Sequence, residues 1–103
     1  MMQPPTIHII KQKQPFVRTY KKLPAAKKKL VNEAILTIDK NSEVGTEKKQ
    51  DLKGIYVYKF KIDNTLMLLA YTFDPKTLTL ILLGVHENYY RDLKKYLNKQ
   101  QNA

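Results

Sequence analysis

From Gly54 onward, dense apolar runs alternate with short polar breaks, and that rhythm predicts a β-meander. Ile55-Tyr56-Val57-Tyr58-Lys59-Phe60-Lys61-Ile62 is rich in β-branched and aromatic residues, the composition of a strand. Asp63-Asn64 supplies a tight turn, because both residue types tolerate positive φ. Residues 66–73 form the next strand, Asp74-Pro75-Lys76-Thr77 a second turn, and residues 78–83 the third strand. The last two strands are apolar at both parities, so both faces of the sheet need a cover.

Upstream, residues 6–11 mix apolar and β-branched residues and predict a short strand. Pro15 stops it and opens a helix, in which Phe16, Tyr20 and Leu23 fall at i, i+4 and i+7. Pro24 restarts a second helix with the stripe Ala26, Leu30, Ala34, Ile35 and Ile38, which makes a helical hairpin able to cover one sheet face. Residues 41–50 are polar around Gly45 and predict a loop. After the third strand, Asn88 is placed to cap a final helix whose apolar side is Tyr89, Tyr90, Leu93, Tyr96 and Leu97. The expected fold is α+β: an N-terminal strand, a helical hairpin, an antiparallel three-strand meander and a C-terminal helix. It forms a single domain over residues 1–103, with a core of about 6–97 and a polar tail, 98–103.

Composition narrows the function classes. Cysteine is absent, which excludes disulfide and thiolate–metal frameworks. His8 and His86 have no clustered ligands at metal spacing, so neither a metal nor a cofactor is expected. The first five residues lack the apolar run of a signal peptide, and the longest apolar run, 66–71, is far short of the ~18 residues a membrane span needs. A cytoplasmic protein without a membrane partner is the expectation. Net charge is +10, and residues 1–32 hold eight basic residues and no acid. Such a field favours a polyanion or an acidic protein as partner over a surface that is merely solvated.

Chemistry gathers where the last strand meets the last helix. Gly84-Val85-His86-Glu87-Asn88-Tyr89-Tyr90-Arg91-Asp92-Leu93-Lys94 loads a strand end with His, Tyr and Arg, a poor way to build a core. Histidine is the residue type whose ordinary pKa, ~6.5, suits general acid–base work. RNA cleavage needs a group to take the 2′-hydroxyl proton, cations to stabilise the phosphorane, and an acid for the leaving oxygen. His86, Tyr90 and Arg91 are the candidate catalytic residues, and Lys59, Lys61, Tyr89 and Lys94 the candidate phosphate- or target-binding ones. Alternation puts Lys59 and Lys61 on one face with Ile55 and Val57. They form a phosphate-holding pair or mark where the strand emerges into water. Helix-to-sheet packing accounts for two of Tyr89, Tyr90 and Tyr96, Arg91 has Glu87 as a ready partner, and His8 reads as structural.

Two blocks, Asp51-Leu52-Lys53-Gly54-Ile55-Tyr56-Val57-Tyr58-Lys59-Phe60-Lys61 and the junction from Gly84 to Lys94, carry a family likeness. Over about residues 6–97 the chain resembles the RelE/ParE superfamily of bacterial type II toxins, in its ParE-like branch. The resemblance implies a growth-inhibiting toxin neutralised by a cognate antitoxin, whose covering segment is often acidic. RelE-like members cleave mRNA on the ribosome, and ParE-like members poison DNA gyrase. Lys59, Lys61, His86 and Tyr90 match positions where the ribonucleases carry basic and aromatic residues. Those enzymes commonly carry an arginine on the following strand as well, and residues 66–73 have no charge at all. That departure and the ParE-like blocks favour gyrase as the target, with ribosome-dependent mRNA cleavage as the alternative. A non-toxic basic nucleic-acid-binding module is the reading from another class.

Overall fold

The computed structural model describes residues 6–48, 52 and 54–101. Residues 1–5, 49–51, 53 and 102–103 lie outside the described residues; they include parts of the expected loop, of the first motif block and of the tail. The elements are β1 (Ile9–Gln12), α1 (Gln14–Lys21), α2 (Ala25–Lys40), β2 (Thr46–Lys48), β3 (Ile55–Ile62), β4 (Thr65–Phe73), β5 (Thr77–Val85) and α3 (Tyr89–Gln101). The expected α+β order is observed, and α3 continues through residues 98–101, which the sequence pattern assigns to the tail.

The meander β3–β4–β5 forms the middle of the sheet, with Asp63 at φ 55° in its first turn. In the second turn the Asp74 carboxylate accepts the N–H groups of Lys76 and Thr77, both at 2.8 Å. Two more strands extend the meander, giving the order β1-β5-β4-β3-β2. β1 pairs parallel with β5, from Ile9↔Thr77 to Gln12↔Leu80. β2 pairs antiparallel with β3, from Thr46↔Val57 to Lys48↔Ile55.

β2 corrects the loop expected over 41–50, and Tyr71 is the reason it forms. The buried Tyr71 hydroxyl donates to the Ser42 carbonyl (2.7 Å) and accepts the Gly45 N–H (3.0 Å), so the turn after α2 is clamped to the sheet. Burial pushes that hydroxyl up to about 12, against the lowering pull of the Gly45 N–H, so it stays a donor near neutral pH. A Cβ at Gly45 would lie 2.6 Å from the Tyr71 hydroxyl oxygen and 3.0 Å from the Val57 carbonyl oxygen; only glycine fits.

β1 begins later than expected, because the N–H groups of Ile7 and His8 are diverted to a side chain. They donate to Asp39 Oδ2 (2.7 Å) and Oδ1 (2.8 Å), and His8 Nδ1 meets Oδ1 at 2.8 Å. Asp39 is buried near the end of α2. Burial pushes its carboxyl up, but the two backbone N–H groups and the His8 ring outweigh that and hold it below the ordinary carboxylate range. A lowered folded-state pKa contributes stability above the ordinary range, and the contribution is lost as pH falls through the lowered value. Asp39→Ala is expected to cost about 2–3 kcal/mol at pH 7, because both N–H groups lose their acceptor. The gap should narrow as the pH is taken down past the carboxylate range. Urea midpoints of the two proteins at several pH values check this, and equal midpoints at pH 7 would contradict it.

Each sheet face has its own core. The α1–α2 hairpin packs Phe16, Val31 and Ile38 on Leu69, Tyr71 and Leu80. The opposite face is covered by α3, whose Tyr89 and Leu93 pack with Ile55, Val57, Leu68 and Ala70. This supplies the second cover that the doubly apolar β4 and β5 require. In α2 the buried stripe is Val31, Ala34 and Ile38, at i, i+3 and i+7. Ala26 is exposed, and Leu30, one position round from Val31, sits at the margin. Among the described residues, no helix is long and apolar enough to cross a membrane.

Candidate functional site

α3 covers only part of its face, and the uncovered part holds the lysines. Ile55 and Val57 are buried beneath it, whereas Lys59 and Lys61, next in the same alternation, are exposed. Lys59 faces Leu68 on β4, Leu68 faces Gly84 on β5, and Lys61 faces Leu66. Two strand spacings separate Lys59 from Gly84, ~10 Å across an apolar floor.

The β5–α3 junction borders that floor. A register shift at Ala70/Tyr71 marks a bulge between β4 and β5. Tyr89 then folds back over the sheet, its ring as close as 3.3 Å to where a Cβ on Gly84 would lie. Its hydroxyl donates to the Leu82 carbonyl at 2.6 Å. Burial pushes that hydroxyl far above the usual tyrosine range, despite a lowering contribution from the Ala70 N–H. Tyr89 is 2% exposed; it anchors α3 and, as placed, presents no surface to a ligand. Asn88 stands at the helix start with φ 61°, and its carbonyl accepts the Asp92 N–H at 3.0 Å. The Tyr89 N–H returns to the His86 carbonyl at 3.2 Å, which holds His86 in a tight exposed turn.

His86 and Tyr90 meet edge to face, with ring centroids 6.3 Å apart and planes at 82°. Tyr90 is half-buried, and Lys48 Nζ lies 4.9 Å from its ring centroid, a cation–π contact. Lys94 falls one helical turn beyond Tyr90 on the same stripe. The structure therefore brings His86, Tyr90, Lys59 and Lys61 to one face and adds Lys48. Lys48 is invisible in a sequence reading that places it in a loop; its only signal is the β-branched Thr46 two residues earlier. Arg91 is exposed, with Nη2 3.5 Å from Asp92 Oδ1, so its carboxylate is Asp92 and not Glu87. An exposed pair of this kind is worth ~0–1 kcal/mol, so a phosphate can compete for the guanidinium.

The arrangement offers one imidazole, three ammonium groups and an aromatic ring over a shallow apolar floor. Among the described residues, no three His, Asp or Glu side chains are placed to hold a metal ion. His8, the other histidine, is committed to Asp39. The start of α3 also borders a cleft of different character: Glu87 and Asp92 line a space of about 530 Å³ with Lys27 and the β5 residues Leu82, Leu83, Gly84 and Val85. β1 pairs only as far as Leu80, so among the described residues this part of β5 has no strand on its outer side.

A family model for the ParE-like toxin of type II bacterial toxin–antitoxin systems matches residues 10–94. The chain belongs to that family. It is thereby a type II toxin of the RelE/ParE superfamily, and a toxin of this class is encoded with an antitoxin. Solved relatives share its fold. The toxin is similar to a chain of the intact E. coli RelBE toxin–antitoxin complex, with TM-score 0.62 and 16% identity over 78% of this chain and 98% of that one. A chain of the RelBE2 complex of Mycobacterium tuberculosis gives TM-score 0.63 and 18% identity, covering 77% and 98%. A mutant E. coli RelE in the free state gives 0.65 and 14%, covering 85% and 93%. No curated protein sequence matches the toxin.

Proposed function

We propose that the toxin acts on RNA, as an endoribonuclease that works through the face shared by His86, Tyr90, Lys59, Lys61 and Lys48. The observation that carries this reading is the placement of the one exposed, uncommitted imidazole against an aromatic ring, on the same face as the lysines. In the proposed reaction the His86 imidazole takes the 2′-hydroxyl proton. The 2′-oxygen attacks the adjacent phosphorus, the bond from phosphorus to the 5′-oxygen breaks, and a 2′,3′-cyclic phosphate and a 5′-hydroxyl result. Lys59 and Lys61 stabilise the negative phosphorane, and a lysine ammonium donates the proton to the departing oxygen. The exposed part of the Tyr90 ring stacks on a base, and Arg91 and Lys94 hold flanking phosphates.

Inhibition of DNA gyrase is the second reading. Its supporting observation is that β4 carries no charged residue, so no arginine stands beside His86 on that strand. Either target places the toxin's action in the cytoplasm. The cognate antitoxin is proposed to neutralise this face through an acidic segment, matching the net charge of +10.

The two readings separate in cells. Induction of the toxin is expected to produce mRNA fragments with 5′-hydroxyl ends while a reporter plasmid keeps its supercoiling. Intact transcripts together with a relaxed plasmid or double-strand breaks would transfer the assignment to gyrase.

A further inference from the structure

The cations in residues 1–32 are not absorbed by the face that carries His86. Ile10 packs into the core beneath the hairpin, so Lys11 points to the other side of the sheet. Lys27 lines the cleft with Glu87 and Asp92. The remaining six, Lys13, Arg18, Lys21, Lys22, Lys28 and Lys29, gather around α1 and the first turns of α2, and all but the half-buried Lys28 are exposed. No acid lies among the described residues up to 32; α1 and α2 pack on one face of the sheet and α3 on the other, and they approach each other at the cleft that Thr19, Leu23 and Lys27 share with Glu87 and Asp92. We propose that the α1–α2 corner is a second polyanion-binding surface, which takes the phosphate backbone of double-stranded RNA independently of the His86 face.

Helix stability does not explain the charge. Lys27, Lys28 and Lys29 crowd the start of α2, which has no acid in its first turn and no side-chain cap. Cations there oppose the helix dipole. The chemistry of the corner also selects its partner. An acidic peptide would need apolar anchors, since those carry most of the energy of protein docking. Here Phe16 is 1% exposed, Leu23 is half-buried, and Leu30 is the one large exposed apolar side chain. Single-stranded RNA would need rings to stack on. The Tyr20 ring is instead stacked on Phe16, with centroids 5.5 Å apart and planes at 21°, and its hydroxyl donates to Asn32 Oδ1 at 2.8 Å. What remains is an array of exposed cations with one marginal apolar side chain and no free ring, suited to binding the phosphates of a duplex.

The test uses the full-length toxin and a fluorescein-labelled 20-base-pair RNA duplex of arbitrary sequence, with fluorescence anisotropy followed from 50 to 300 mM KCl. The triple variant Lys21→Glu, Lys22→Glu, Lys29→Glu alters exposed positions, and Lys21→Gln, Lys22→Gln, Lys29→Gln is the milder companion; circular dichroism verifies both folds. The Glu variant is expected to bind duplex at least ~10-fold more weakly at 100 mM KCl. Its salt slope should fall by roughly three, on the order of 0.9 for each phosphate left unneutralised. The Gln variant should lie between it and the wild type. Lys59→Ala with Lys61→Ala should weaken duplex binding clearly less than the Glu variant does. Unchanged duplex affinity and slope in the Glu variant would overturn the proposal. So would equal losses from the Lys59/Lys61 pair, or better competition by a poly-glutamate peptide than by duplex of equal charge. Duplex binding is read without cleavage, so failure here leaves the endoribonuclease reading standing, and the reverse also holds.

Discussion

Replacing His86 with alanine is expected to slow RNA cleavage by about 10²–10⁴-fold, the usual contribution of a general acid or base. The fold should be nearly untouched. His86 sits in an exposed turn and touches Tyr90 edge-on, and substitutions at such positions usually change stability by about 0.5 kcal/mol or less. The variant should therefore lose toxicity while keeping a wild-type urea midpoint. Single-turnover cleavage rates, measured across pH with His86→Gln as a second variant, test the assignment. A proton-transfer role removes the pH dependence along with the rate, whereas a merely structural one would lower stability and leave the profile's shape. Cleavage retained within threefold in His86→Ala would remove His86 from the chemistry.

The largest structural effect is expected one turn away. Tyr89→Ala deletes a ring buried between α3 and the sheet, together with the hydroxyl that meets the Leu82 carbonyl. Truncating a buried aromatic costs about 3–5 kcal/mol, a large part of the ~5–15 kcal/mol that holds a domain of this size folded. Tyr89→Phe keeps the ring and loses only the hydrogen bond, an expected cost of about 1–2 kcal/mol. Urea denaturation should rank wild type above Tyr89→Phe and both well above Tyr89→Ala. If Tyr89→Ala matched the wild type, α3 would not depend on this anchor. Where Tyr89→Ala is destabilised as expected, its loss of toxicity follows from detachment of α3, which also carries Tyr90.

Much of this architecture is legible in the chain because local signals agree with the tertiary solution. Asp63-Asn64 and Asp74-Pro75 are turn chemistry between apolar, β-branched and aromatic runs, and Pro24 separates two helices. The apolarity of β4 and β5 at both parities requires two covering layers, which the hairpin and α3 supply. What escapes the sequence is decided at long range. β2 is three residues long and mostly polar, and it exists because Tyr71, 26 residues after Gly45, clamps the turn before it. The parallel pairing of β1 with β5, and the diversion of two N–H groups to Asp39, leave no local trace either.

The same division runs through the site. Lys59 and Lys61 follow from alternation along β3, and His86 from its residue type at a strand end. Tyr89 and Tyr90 are adjacent and chemically identical, yet one is buried and the other borders His86. Tyr89 shares the buried i, i+4 stripe with Leu93, and Tyr90, one position round the helix, sits half-buried at its margin. Lys48 joins the face only because β2 forms.

If the His86 face cuts RNA, the chemistry of the ends it leaves is decisive. Purified toxin is incubated with a 5′-labelled mRNA, free and on programmed ribosomes, and the fragments are resolved for their terminal groups. Fragments ending in a 2′,3′-cyclic phosphate opposite a 5′-hydroxyl are expected, absent with His86→Ala. RNA left intact in both settings, by toxin that inhibits gyrase supercoiling in a parallel reaction, would contradict the endoribonuclease reading.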